Sequence, residues 1–189
     1  MGLPAEDVIR RKIGQDELNA ICAKHDRLWQ AKPGGARAVF AWLDLSGLDL
    51  RGRNLSDADF SATRMHGCDL TGAKLDNASF FGADMQDALL IDASLRRSDL
   101  RGACLRGADL TGADLFEADL REGTLAAADR KAGFRVVEAQ SKPEATQAQG
   151  VILSGANLQR SRLSGIIATK ADFSDAIMKD CKLVRANLK

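Results

Sequence analysis

Counted in fives from Phe40, the chain places a large apolar residue at every step as far as Leu125. Phenylalanine stands at 60 and 80, methionine at 65 and 85, and leucine at the rest. Two residues before these centres alanine dominates (Ala58, Ala73, Ala78, Ala83, Ala88, Ala93), and one before them aspartate (Asp59, Asp69, Asp99, Asp109, Asp114, Asp119). Every glycine between Gly47 and Gly112 falls two residues after a centre. A helix repeats every 3.6 residues and a strand every 2, so neither alone produces this period. A short extended side followed by a turn does. Within it the centre and the residue two before it point inward, and the remaining positions meet water. Glycine at the turn supplies a positive φ without steric cost.

The period stops after Leu125, since Arg130 occupies the next centre, and residues 126–150 carry no repeat. It resumes over 151–189 with Leu153, Leu158, Leu163, Ala168, Phe173, Met178, Leu183 and Leu188, three residues out of phase. The 28 residues from Leu125 to Leu153 read as one five-residue side plus an insertion of 23, beneath which the repeat continues. At Ala168 the centre is small and Ile166, where alanine is usual, is large, an exchange that keeps core volume. Residues 1–37 do not repeat and read as a helical cap. Leu18, Ile21, Cys22, Leu28 and Trp29 form an amphipathic stripe that predicts a helix from Asp16 to about Lys32. Asp16 is its expected cap, Pro33-Gly34-Gly35 its stop, and Pro4 to Ile13 a shorter helix before it. Both tryptophans, Trp29 and Trp42, are expected at the junction.

The tandem Ala-(Asp/Asn)-Leu-x-x motif over 38–125 and 151–189 resembles the pentapeptide-repeat family. That resemblance implies an all-β solenoid, a right-handed quadrilateral parallel β-helix with four pentapeptides to each square coil. Residues 20 apart then stack, so Phe40, Phe60 and Phe80 should form an aromatic ladder at about 4.8 Å spacing. The same stacking puts Leu125 beneath Leu105 and Ala168 beneath Leu125. A terminal coil exposes unpaired backbone, so residues 1–37 are expected to cover one end. No such segment follows Leu188, which implies pairing with a second copy or continuation in a longer protein.

Basic and acidic residues number 27 and 26, so the chain is neutral overall, which argues against direct nucleic-acid binding. The neutrality hides a polarity along the chain. Residues 43–125 carry 9 basic and 15 acidic side chains, and 126–189 carry 11 and 6. No run is long and apolar enough for a membrane span, and four cysteines without framework spacing fit a reduced, cytoplasmic protein. Cys22 and His25 are metal-capable and one helical turn apart, but no second pair accompanies them. Cys68 and Cys181 fall at inward positions, while His66 and Cys104 face outward two coils apart. The aspartates lack the glycine-rich nonapeptide of calcium-binding β-rolls and are expected to bond nearby backbone amides. No nucleophile–base pair, phosphate-cradling loop or hexapeptide period is present. No catalytic residue, metal or cofactor is therefore expected.

The candidate surfaces lie on the walls. Phe81, Arg101 and Arg121 stack on successive coils, flanked by Ser79, Asp99 and Asp119, with Arg101 placed to cover Phe81. Phe116 is a further outward aromatic. Leu89 and Ile91 point outward beside buried Leu90, an apolar pair on a polar wall. The insertion contains Phe134, Arg135, Val136 and Val137, and is expected to fold back over that pair. Exposure of the pair would instead favour a partner surface. The leading functional reading is a non-enzymatic protein-binding or scaffolding module. The resemblance implies an alternative, in which the solenoid imitates DNA, binds DNA gyrase and protects it from quinolones. A second alternative is a structural module of a longer protein.

Overall fold

The computed structural model describes residues 10–123 and 145–189, and between these the backbone of two short strands. Each five-residue side contributes one bridge to the coil above and one to the coil below. Asp49 pairs in parallel with Asp69, Asp69 with Leu89, and Leu89 with Asp109, in steps of one coil. The bonds run both ways along the axis: Phe40 N donates to Asp59 O (2.7 Å) and Asp59 N to Ala38 O (3.0 Å). Each side closes in a turn, as where Leu48 N donates to Leu45 O (3.0 Å), and the residue two after the centre takes a positive φ. Gly112 shows what glycine relieves there. Its φ is +67°, and a Cβ would run into the Asp92 carboxylate of the coil above.

Four walls result, named here by their first core residue. The Phe40 wall stacks Phe60, Phe80, Leu100 and Leu120 beneath it, all buried. Its rings lie 4.9 Å and 4.8 Å apart with interplanar angles of 16° and 3°, the expected aromatic ladder. The Leu45 wall continues through Met65, Met85 and Leu105, the Leu50 wall through Leu70, Leu90 and Leu110, and the Leu55 wall through Leu75, Leu95 and Leu115.

Below these coils the ladder crosses the insertion without losing register. Cys104 bridges Gln147, Asp109 bridges Ile152, Asp114 bridges Asn157 and Asp119 bridges Arg162. Partners are 43 residues apart, one 20-residue coil plus the 23 of the insertion. One detail differs from expectation. The place beneath Leu105 is taken by Ala148, not by Leu125, because Leu105 N donates to Gln147 O (2.6 Å). The repeat therefore resumes at Thr146, one side earlier than Leu153. Thr146 is buried, and its hydroxyl donates to Arg121 O (2.9 Å) while accepting from Gly102 N (3.1 Å), tying the returning chain to the coil it left. The small–large exchange extends over two coils as a result. Ala148 and Ala168 are the centres, and Thr146 and Ile166 the bulkier inward partners, all four buried. Of the inserted residues, β3 (Ala128–Asp129) and β4 (Gly133–Phe134) pair antiparallel.

The cap replaces a missing upper coil with three different devices. Strand β1 (Arg11–Lys12) pairs in parallel with β2 (Leu43–Asp44), and Ile13 N donates to Asp44 O (3.1 Å), so buried Ile13 tops the Leu45 wall as a core centre would. The expected helix over Pro4 to Ile13 is thus strand at its end, and residues 1–9 lie outside the described residues. Helix α1 (Gln15–Trp29) begins one residue before Asp16, and its cap is Gly14 rather than Asp16, whose side chain makes no capping bond. Gln15 uses its amide as a substitute strand, accepting from Asp49 N (3.0 Å) and donating to Asp49 O (2.9 Å). The buried stripe of α1 is Leu18, Cys22 and His25, whereas Leu28 and Trp29 are exposed. The expected stripe placed those two inward; His25 instead enters the core because its ring is needed there. Ala38 N donates to His25 Nδ1 (3.1 Å), replacing the turn carbonyl that accepts the matching amide in lower coils. Trp29 Nε1 approaches His25 Nε2 at 3.1 Å.

Candidate functional site

The metal-capable side chains are absorbed by packing. Cys22 is buried on the inner face of α1 and His25 is committed to Ala38. Cys68 Sγ donates to Leu45 O (2.9 Å), and burial pushes its thiol up to about 11, so it remains protonated. Cys181 Sγ donates to Leu158 O (2.6 Å). His66 Nε2 lies 2.6 Å from Asp84 Oδ2, and Cys104 stays a half-buried thiol pushed up by burial. Among the described residues no three metal-ligating side chains meet.

The recurrent aspartate works as a turn brace. Asp49, Asp69, Asp109 and Asp172 each accept, through Oδ1, the backbone N–H two residues on (2.9–3.0 Å). The bond closes over the start of the following turn, which accounts for this residue type one before the centre. The second carboxylate oxygen is left for partners. Arg51 takes that of Asp49 at 2.7 Å and holds the carboxyl down at about 2.

The predicted stack on the Phe40 wall is present. Arg101 lies over the Phe81 ring at 5.2 Å and binds both oxygens of Asp99 (2.8 and 2.7 Å), while Arg121 does the same with Asp119 (2.9 and 2.7 Å). Both arginines are raised above their ordinary value by these bonds. Phe116, on the Leu55 wall, is enclosed by Arg96 at 4.6 Å and Arg160 at 5.8 Å, from the coils above and below. These groups largely satisfy each other within the wall.

The Leu50 wall differs. Leu89 is 39% exposed and Ile91 half-buried, so the structure leaves an apolar spot there. The sequence reading missed Ile152, 37% exposed, which bridges Asp109 just below Leu89. Its signal was the same as that of Leu89, an aliphatic residue one before a centre. Around this spot the wall presents Asp49, Asp69, Asp92, Asp109, Asp172 and Asp175 against Arg51. Phe134, Arg135, Val136 and Val137, expected to cover it, lie outside the described side chains.

A family model described as pentapeptide repeats matches residues 38–77, 78–115 and 152–189, in eight copies. The chain belongs to the pentapeptide-repeat family. Its walls are those of the right-handed β-helix of that family. Among solved structures, it is similar to a pentapeptide repeat protein from the Arabidopsis thaliana thylakoid lumen at 29% identity, covering 64% of this chain and 68% of that one, TM-score 0.48. A pentapeptide repeat protein from Nostoc shares 26% identity over 59% of this chain and 84% of its own, TM-score 0.39. The plasmid-mediated fluoroquinolone resistance protein QnrB1 shares 18% identity over 77% and 86%, TM-score 0.35. No curated protein matches the chain. Among the described residues no helix is long and apolar enough to cross a membrane.

Proposed function

We propose that this pentapeptide-repeat protein is a non-enzymatic, cytoplasmic protein-binding module, and that the Leu50 wall is its docking surface. The observation that carries this reading is the vertical run of Leu89, Asp109 and Ile152, with Ile91 beside it, inside a wall rich in aspartate. Exposed aliphatic side chains ringed by charge are the anatomy of an interface with a central apolar anchor. The surrounding carboxylates select a basic partner and speed its approach at low salt. Phe116 belongs to the adjoining Leu55 wall and Phe81–Arg101–Arg121 to the opposite Phe40 wall, and both groups are neutralised within their own wall.

The test is crosslinking mass spectrometry in cell extract with the wild type and a Leu89→Lys/Ile152→Lys variant. Both substituted side chains are partly exposed, so the variant should melt like the wild type while losing one specific crosslinked protein. A variant that keeps every crosslinked partner contradicts the assignment. The acidity of residues 43–125 supports a second reading, imitation of DNA toward gyrase. A gyrase supercoiling assay with and without a quinolone decides it: protection at micromolar protein supports it, and no effect removes it.

A further inference from the structure

The lower part of the Phe40 wall pairs charges in a way its upper part avoids. Elsewhere stacked charges are opposite or neutralised on the spot. Arg64 stacks beneath Asp44 (3.8 Å), and Arg96 reaches Asp114 (2.6 Å). Where Asp99 stacks on Asp119, an arginine of the same side holds each one at 2.7 Å. Arg162 and Lys182 are also bridge partners on neighbouring coils, so their side chains leave the wall about 4.8 Å apart, and both are cations. The carboxylate in ion-pair range of Arg162 is Asp119 (3.7 Å), already bound through both oxygens by Arg121, while Glu117 and Asp180 line a second cleft with Arg162 and Lys182. Among the described residues Lys182 and Arg185 pair with no carboxylate. Stacked like charges destabilise a sheet unless something between them is negative.

These cations border one cleft of about 960 Å³. Arg121 lies at its upper rim, and Glu122 is the carboxylate among its described lining residues. Gly165 (φ +77°) lies under the Glu122 carboxylate, which is 3.8 Å from where a Cβ would stand, and Val184, 67% exposed, adds an aliphatic edge. We propose that this cleft binds a phosphate-bearing small molecule, with Arg162, Lys182 and Arg185 as the groups that hold the phosphate. A single carboxylate has two acceptor oxygens and one charge. Three cations bordering one cleft from two columns suit a dianion with several oxygens, and the guanidinium fork fits phosphate bidentately. The cleft is far larger than one phosphate group, and Val184 gives the organic part of a phosphomonoester a place to rest.

The test is isothermal titration of the full chain at fixed ionic strength with inorganic phosphate and, separately, adenosine monophosphate. Saturable binding with Kd below about 1 mM is expected for at least one of them. Tighter binding of the monoester assigns the site to phosphorylated organic molecules, and equal affinity assigns it to free phosphate. Lys182→Gln and Arg185→Gln, both at exposed positions, should each weaken binding about tenfold through loss of a charge-assisted contact. Lys182→Glu should abolish binding yet raise Tm in phosphate-free buffer, because it turns the like pair with Arg162 into an opposite one. The proposal is overturned if neither titrant saturates by about 10 mM, if the variants bind as the wild type does, or if Lys182→Glu lowers Tm.

Discussion

Above the insertion the core is built of large centres and alanine partners, with three phenylalanines stacked face to face and an acidic exterior. Below it the Leu45 wall turns to Ala148 and Ala168 with Thr146 and Ile166 beside them, and the exterior turns basic. The hydrogen-bond ladder is the same in both: Phe80 N to Asp99 O and Ala148 N to Ile167 O are each 2.7 Å. The contrast separates what holds the fold from what decorates it. Backbone pairing and one turn per five residues set the coil. Inside it, the larger side chain can stand at the centre or two residues before it, and outside it charge is free to change sign.

Core substitutions should expose this contrast most strongly. Phe60→Ala removes the middle ring of the ladder and should cost about 3–5 kcal/mol, including the stacking on both sides, in denaturant unfolding. In the lower coils Ala168→Leu alone should cost about 1–3 kcal/mol by overpacking against Ile166, and Ile166→Ala alone about 2–4 by leaving a void. The double variant should recover to within about 1.5 kcal/mol of the wild type. Additive losses in the double variant would show that position, not layer volume, is what matters.

The next largest effect concerns the cap, where a side chain replaces a coil. Burial, the largest influence, lowers the His25 pKa from 6.5, and the neutral ring is the form that accepts the Ala38 amide. A depressed folded value means that the contribution is complete above about pH 6.5 and is lost as pH falls from there toward the folded pKa. Stability followed from pH 7.5 to 5 should fall in the wild type. In His25→Gln, less stable at neutral pH, it should fall less steeply. Equal slopes would detach His25 from the pH dependence.

Turn substitutions should give the smallest effects, of opposite sign. Gly112→Ala should cost about 1–2 kcal/mol, since φ is +67° and the added methyl meets Asp92. Lys170→Gly, at a φ of +59°, should stabilise by about 0.5–1 kcal/mol, its relief of strain partly offset by a freer unfolded chain. Thermal melts of the two variants side by side check the pair.

Much of this was legible in the sequence because each five-residue side repeats the same physical demand: inward centre, small inward partner, turn brace and turn. The aromatic ladder and the Arg101–Phe81 stack follow from stacking residues 20 apart, and the bracing aspartates from their place beside each turn. The cap was less legible because its devices occur once each. Nothing periodic signals that Ile13 imitates a core centre, that Gln15 imitates a strand, or that His25 displaces Trp29 from the buried face. The point of return was also misplaced, since Ala148 is too small to advertise itself as a centre. Its place beneath Leu105 is evident only from the hydrogen bond. In the exposed apolar spot Leu89 and Ile91 flank a centre of the unbroken repeat, whereas Ile152 lies beyond the insertion, where the register has shifted.

The continuity of the ladder beneath the insertion is tested most directly by excising residues 123–145, so that Glu122 joins Thr146. Each coil would then hold 20 residues throughout, and Cys104 would still face Gln147. The measurement is amide hydrogen exchange on the shortened chain. Protection of the Leu105, Leu110, Leu115 and Leu120 amides, which donate to Gln147, Ile152, Asn157 and Arg162, should match the full-length protein. Loss of that protection with the coils above Leu100 intact would contradict a continuous ladder and make the lower coils a separate unit.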